Sequence, residues 1–254
     1  MSIDEEDNAR SQLRARQGQG ARYDAASAPH ADLALVRRGT AYFARKLRDL
    51  ADRDFHGPSL LPGRTRAHVV AEVGYRARAF ARLVESTRTG NGTPIYESTS
   101  SRDEEITFGG TLPAGALRYL FDHAEVHLNV EWRDLGDAQW DQWATDDSGR
   151  PRCIRQTPWF RASEIWISAV DLDNGGSFLD FPADLTDRLL LQFATNAPFD
   201  VTLMPTDRSQ PLVVGAGGSE IRGAAADLLR WLSGRGARRL DGVATVKATL
   251  WRHN

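Results

Sequence analysis

Two stretches of the chain decide the fold: TRAHVVAEV at residues 65–73 and RASEIWISAVDL at residues 161–172. In both stretches apolar residues recur at the spacing that predicts an α-helix with one buried face. His68 and Glu72 are four residues apart, and Glu164 is followed four residues later by a serine. Residues at that spacing lie on one helix face, about 5–6 Å apart at Cβ. Two such helices packed together would bring a histidine and two or three oxygen ligands to one spot, and helical bundles commonly build metal sites in their cores.

The same periodicity predicts a bundle of four helices. These helices are expected over residues 31–54, 66–87, 113–135 and 158–173, with Thr65 as the N-cap of the second. Between them, the pattern predicts an irregular polar stretch at residues 98–103 and a loop or weak strand over residues 140–153. Four helices with one long connection make a bundle domain.

After the glycine pair at residues 175–176 the pattern changes. It predicts a helix over 185–193, strands over 201–204 and 212–214, a helix over 224–232 and a last strand over 243–246. This is a small α+β module of about 75 residues, a normal domain size. The sequence therefore predicts an α+β protein with a flexible extension (residues 1–30), a four-helix bundle (31–174) and a small C-terminal domain (175–254).

Composition excludes several classes of protein. The chain has 254 residues, and its 32 basic and 34 acidic residues leave a formal net charge of −2, whereas a nucleic-acid-binding domain would be basic. No apolar run approaches the roughly 20 residues that span a bilayer. The polar N-terminus lacks the features of a signal peptide, so a cytoplasmic protein is expected. The single cysteine, Cys153, excludes an internal disulfide and is interpreted as a structural thiol.

Five motifs, taken together and in order, resemble the mycothiol-dependent maleylpyruvate isomerase family. They are RGTAY (38–42), SLLPGRTRAHVVA (59–71), TPIY (93–96), SRDEEI (101–106) and RASEIWISAVDL (161–172). The resemblance extends over about residues 33–250. It implies a DinB-like four-helix bundle, followed by a smaller α/β domain of sterol-carrier type. It also implies an enzyme that uses the thiol mycothiol to convert the cis double bond of maleylpyruvate to trans fumarylpyruvate, with a divalent metal, usually zinc, in the bundle.

The resemblance also implies the roles of individual residues. His68 matches the first metal-ligand histidine of the family, and Glu164 matches the ligand glutamate of the fourth helix. The third ligand of the family is a histidine where this chain has Ser168, and a serine hydroxyl is a poor ligand for zinc. Arg102 and Arg235 match active-site arginines, which would bind substrate carboxylates.

Two accounts of Ser168 remain open. In the first, Glu72 replaces the missing ligand and completes a metal site with His68 and Glu164, a donor set that suits zinc or a harder divalent ion. In the second, metal binding is weak or lost and the pocket serves other chemistry. Arg64, which stands where the family commonly has tryptophan, is a second departure.

The leading functional prediction is a mycothiol-dependent enzyme that adds a thiol to a small electrophilic substrate and so isomerises a double bond. The alternatives are a thiol S-transferase of specialised metabolism and a metal-free, non-catalytic ligand-binding protein. The expected partners are a small electrophile and a low-molecular-weight thiol, without nucleic acid or membrane; the oligomeric state is left open. A second histidine pair at i and i+4, His123 and His127, is interpreted as part of a polar helix face.

Overall fold

The computed structural model describes residues 23–90, 99–145 and 150–243. Four long helices form the first part of the molecule, and a short helix lies between the second and third. They are α1 (His30–Asp49), α2 (Arg66–Thr89), the short α3 (Thr99–Gly109), α4 (Ala114–Asp134) and α5 (Thr157–Asp171). In this bundle α1 packs on α5 and α2 packs on α4, while α2 also contacts both α3 and α5.

The predicted cap of α2 is confirmed. The Thr65 hydroxyl accepts a hydrogen bond from the His68 backbone N–H, and the His68 side chain in turn accepts one from the Thr65 backbone N–H. This reciprocal arrangement satisfies donors that the first turn of a helix otherwise leaves unpaired. At the other end α2 stops at Gly90, whose φ of 75° is the left-handed conformation that glycine adopts without strain. Helix α2 is thus fixed at the end that carries His68.

The irregular structure predicted over residues 98–103 is wrong for residues 99–103, which belong to α3, whereas Ser98 lies outside the described residues. Ile106 is deeply buried in α3, whereas Asp103 and Glu104 are exposed. With so few buried apolar residues the segment has no clear helical period, although glutamate and arginine are good helix formers. Contacts with α2 hold this helix, and they cannot be read from the local sequence.

A short antiparallel hairpin precedes α5. Strands β1 (Trp143–Thr145) and β2 (Pro151–Cys153) pair with Trp143 opposite Cys153. This agrees with the weak strand expected over residues 140–153.

The C-terminal part places two helices beside a three-stranded sheet. Its elements are α6 (Ala183–Asn196), β3 (Val201–Pro205), β4 (Leu212–Val214), β5 (Glu220–Gly223) and α7 (Ala225–Leu232). The strand order is β4-β3-β5, with β4 antiparallel and β5 parallel to β3. The sequence missed β5, and most of the predicted strand over 243–246 lies outside the described residues.

The C-terminal part is held against α1 and α5 by polar contacts, of which the one with α5 is buried. Tyr42 of α1 donates a hydrogen bond to Asp180 (2.6 Å). Arg235 makes two parallel hydrogen bonds with Asp171 of α5, at 3.0 and 2.7 Å.

Within the bundle, Gly39 lets α1 approach α5 closely, since a Cβ there would lie 2.7 Å from Trp166.

The predicted α+β fold class is confirmed. The three domain boundaries stay predictions, and residues 1–22 of the predicted extension lie outside the described residues. Among the described helices, none combines the length and apolarity needed to cross a membrane.

Candidate active site

One face of α2 carries a row of polar side chains. His68, Glu72 and Arg76 follow one another at intervals of one helical turn. Burial raises the pKa of the Glu72 carboxyl above its usual value, and the Arg76 guanidinium opposes this rise. Glu164 also raises the pKa, whereas Arg64 and Arg102 lower it. All four charged groups are therefore close enough to Glu72 to act on its charge, and the structure gathers them near the first half of α2.

His68 is oriented by the helix cap. Its Nδ1 lies 2.7 Å from the Thr65 hydroxyl and 3.3 Å from the Thr65 backbone nitrogen. Because a backbone N–H can only donate, Nδ1 is the acceptor, and the proton of the neutral ring is on Nε2. Burial, followed by the charges of Arg64 and His56, lowers the pKa of His68. The ring is therefore neutral at pH 7.

The His68 ring packs against the backbone where α3 joins α4. A Cβ built on Gly110 would lie 2.4 Å from His68 Nε2 and 2.5 and 2.6 Å from the two neighbouring ring carbons. Only glycine leaves room for the ring at this junction, because real Cβ contacts are never so short. The position of His68 thus depends on Thr65 on one side and Gly110 on the other.

Glu164 is buried between two arginines. Its side chain is 1% exposed, with Oε1 lying 3.3 Å from Arg76 Nε and Oε2 lying 3.1 Å from Arg161 Nη1. Arg161 is fully buried and also donates a hydrogen bond to Glu125 of α4. A chain of alternating charge, Arg76–Glu164–Arg161–Glu125, therefore runs across three helices of the bundle.

The two contacts of Glu164 are ion pairs held by the attraction of opposite charges. Neither contact of Glu164 has the alignment of a hydrogen bond. Burial acts to lower the pKa of Arg161, but the charges of Glu125 and Glu164 outweigh it and raise that pKa. The guanidinium therefore stays charged inside the bundle.

The two predicted substrate-binding arginines lie in different surroundings. The Arg102 side chain belongs to α3 and is 14% exposed, with Nε 3.7 Å from Asp103. Arg235 is buried, its fork is paired with Asp171, and it also donates to the Ser233 carbonyl. The substrate-binding roles of Arg102 and Arg235, and the metal-ligand roles of the residues on α2 and α5, stay predictions.

The first half of the molecule matches a family model. The model describes the mycothiol maleylpyruvate isomerase N-terminal domain, and it matches residues 36–173. The chain belongs to the mycothiol-dependent maleylpyruvate isomerase family.

Solved structures of the maleylpyruvate isomerase family extend the similarity to the C-terminal part. One is the crystal structure of a mycothiol-dependent maleylpyruvate isomerase, and another is that of a histidine-to-alanine mutant of such an enzyme. Each is 31% identical to this chain, with a TM-score of 0.81, and the match covers 87% of this chain and 96% of the other. A search of curated proteins found no match.

Two residues of this site, Arg76 and Arg161, were not predicted from the sequence. Both had a signal in their spacing, since Arg76 is one turn after Glu72 and Arg161 is one turn before Glu164. Arginine is seldom fully buried unless it is paired, so the sequence alone favours an exposed position for each. The pairing partners come from other helices, and only the packing reveals them.

A second polar cluster lies at the far end of the bundle of this family member. Ligand atoms of Glu85, His127 and Glu131 lie within 4.8 Å of one another, and Glu131 also contacts Arg88 at 3.1 Å. His127 was interpreted as part of a polar helix face, but the structure places it in a group that could hold a metal ion. This group is about 25 Å from His68 along α2, by the rise of an α-helix.

Proposed function

We propose that this protein catalyses the mycothiol-dependent cis–trans isomerisation of a small, electrophilic carboxylate substrate of the maleylpyruvate kind. The observation that carries the proposal is the group of guanidiniums around Glu72, contributed by Arg64, Arg76 and Arg102, in a member of this family. Guanidinium groups suit planar carboxylates, because their donors match the two oxygens. A substrate with two carboxylates would be drawn to this region and held there.

The proposed reaction needs a thiolate and a conjugated double bond. The thiolate sulfur forms a bond to one alkene carbon, and the electron pair of the double bond moves to the conjugated carbonyl oxygen. The remaining C–C single bond rotates. The electron pair then returns, the double bond forms again in the trans geometry, and the thiolate leaves. The thiol is regenerated and nothing is oxidised or reduced.

The arginines have a defined part in this sequence. Negative charge builds up on the carbonyl oxygen when the thiolate adds, and a fixed positive group near that oxygen lowers the barrier. Arg102 is proposed to hold a substrate carboxylate, so that the alkene carbon faces the sulfur. Closely held reactants gain much of the rate by orientation alone.

The proposal is tested by incubating the protein with maleylpyruvate and following the appearance of fumarylpyruvate with and without mycothiol. Replacing Arg102 by alanine is expected to lower kcat/KM about 10- to 100-fold, since a hydrogen bond to a charged group contributes about 1.5–3 kcal/mol. Arg53→Ala is the matched control, because the Arg53 side chain is 87% exposed, and it should leave kcat/KM unchanged.

Two outcomes would overturn this assignment. A product that retains the thiol would identify a thiol S-transferase. Saturable binding of substrate without turnover, in the presence of mycothiol, would identify a ligand-binding protein. An equal loss of activity in the Arg53 and Arg102 variants would remove the proposed role of Arg102.

A further inference from the structure

The residues that the resemblance assigns to a metal have other partners in this chain. The expected ligands are His68 and Glu164, with Ser168 or Glu72 as the third. Each of the first two can be compared with what a zinc ligand needs.

Glu164 is already placed between cations. Arg76 Nε is 3.3 Å from one carboxylate oxygen and Arg161 Nη1 is 3.1 Å from the other. Zinc binds carboxylate oxygens at about 2.0–2.2 Å, so an ion on either oxygen would lie within about 5.5 Å of a guanidinium nitrogen. In a buried site, where charges are poorly screened, two like charges at that distance repel each other strongly. Glu164 therefore fits a guanidinium better than a dication.

Both ring nitrogens of His68 already have protein neighbours. A metal-ligating histidine donates its second ring N–H to a carboxylate, a carbonyl or water, and this leaves the ligating nitrogen without a proton. Here Nδ1 receives the backbone N–H of Thr65 at 3.3 Å, so the proton is on Nε2. Nδ1 is occupied by Thr65, and Nε2 packs against the backbone at Gly110, where a Cβ would lie 2.4 Å from it. A metal at Nε2 would have to displace the ring proton, and Nδ1 would have to donate to the Thr65 hydroxyl instead of accepting from the backbone.

The charges around Glu164 do not call for a further cation. Arg76 and Arg161 contact Glu164 directly, and Arg161 also pairs with Glu125. Arg64 and Arg102 act on the Glu72 carboxyl. The three carboxylates of this region are therefore matched by four guanidiniums. Ser168, which is 6% exposed, offers only a neutral hydroxyl, which zinc does not favour.

We propose that this site works without a metal, and that the Arg76 guanidinium supplies beside Glu164 and Glu72 the positive charge that a divalent ion would bring. A guanidinium cannot coordinate sulfur, but it can attract a thiolate and a developing oxyanion by charge. The part of Arg76 in thiol chemistry rests on the proposed function. The exclusion of metal from the site does not.

The first test is the zinc content of the purified, tag-free protein, measured for the wild type, His68→Ala and His127→Ala. The inference predicts that His68→Ala loses no zinc, because His68 holds none. Any zinc present should depend on His127, which belongs to the separate group with Glu85 and Glu131. About one zinc per chain that is lost in His68→Ala and kept in His127→Ala would overturn the inference.

The second test asks whether Arg76 is the group that excludes the ion. It uses Co²⁺, whose visible absorption reports a tetrahedral protein site, in a His127→Ala background. The double change Arg76→Ala with Ser168→His should gain this absorption, and a further His68→Ala should abolish it. Ser168→His alone should not gain it, because Arg76 still faces Glu164. Absorption in that single variant, with cooperative thermal unfolding as proof of folding, would overturn the role of Arg76.

Zinc at His68 and isomerisation of the substrate are measured separately, so each can be present without the other. Thiol-dependent isomerisation by a protein with zinc at His68 would leave the function standing and remove the inference. A protein without zinc at His68 that does not isomerise the substrate would remove the function and leave the inference. Isomerisation that persists at an unchanged rate after chelation supports both.

Discussion

His68 is held by the helix end that it helps to form. Its backbone N–H donates to Thr65 Oγ1, and its ring accepts from the Thr65 backbone. The sequence supplied the residue, through the motif at residues 59–71, and also the cap at Thr65. It could not supply the tautomer, because that depends on a hydrogen bond whose direction is set by the folded backbone. The consequence for metal binding is therefore visible only in the structure.

The tautomer gives a prediction that can be measured directly. In ¹⁵N-labelled protein at pH 7, His68 Nε2 should show the chemical shift of a protonated ring nitrogen and Nδ1 that of an unprotonated one. The ring should titrate below the usual histidine pKa, because burial and Arg64 disfavour its charged form. Addition of one equivalent of zinc should leave both shifts unchanged. A zinc-dependent change at Nε2 would show that the ring is a metal ligand, and a protonated Nδ1 would show that the ring donates to the Thr65 hydroxyl instead.

Gly110 controls the same ring from the other side. Gly110→Ala should reduce the free energy of unfolding by about 1–3 kcal/mol, the usual cost of overpacking, and lower kcat/KM because His68 must move. Gly115→Ala is the matched control, since a Cβ there meets nothing within 4 Å, and alanine favours the helix. Thermal unfolding and the isomerisation assay measure both effects. Equal behaviour of the two variants would mean that Gly110 does not position His68.

The four bundle helices were predictable because each buries a continuous apolar face. Helix α3 and strand β5 were not, since α3 is mostly polar and β5 has the sequence EIRG, with Ile221 its one large apolar residue. Their stability comes from neighbouring elements, α2 for α3 and β3 for β5. The charged chain between α2, α5 and α4 escaped prediction for the same reason, because each pairing joins two elements that are distant in sequence.

The row of alternating charges Arg76–Glu164–Arg161–Glu125 should contribute to the stability of the bundle. Arg161→Ala leaves Glu125 and Glu164 buried without their shared partner, and breaking such a pair typically costs about 3–5 kcal/mol. Chemical denaturation of Arg161→Ala should show a loss of this size. Arg48→Ala removes an arginine whose side chain is 74% exposed, and it should cause no measurable change. A loss below about 1 kcal/mol for Arg161→Ala would mean that the two carboxylates are solvated or protonated at little cost.

The two parts of the molecule meet through polar contacts that the sequence did not reveal. The resemblance assigned Arg235 to substrate binding, whereas the structure pairs its guanidinium with Asp171 of α5. Tyr42 and Asp180 make a second contact between the parts. The α+β class and the order of the elements could be predicted, because they follow from hydrophobic patterns. The contacts between the parts could not, because they depend on single polar side chains.

The Arg235–Asp171 pair gives a prediction about the assembly of the whole chain. Arg235→Ala leaves the Asp171 carboxylate buried and unpaired, and should lower the free energy of unfolding by about 3–5 kcal/mol. Arg238→Ala breaks a pair with Asp227 in which the arginine side chain is 39% exposed, so its effect should be much smaller. Unchanged stability of Arg235→Ala with a raised KM would instead assign Arg235 to substrate binding alone.

The central claim is that this chain uses a thiol to isomerise a double bond. Its most direct test is the rate of conversion of maleylpyruvate to fumarylpyruvate by the purified protein, measured with and without mycothiol. The account predicts conversion only when mycothiol is present, with the thiol recovered unchanged at the end. Conversion that is equally fast without mycothiol, or no conversion with it, would contradict the claim.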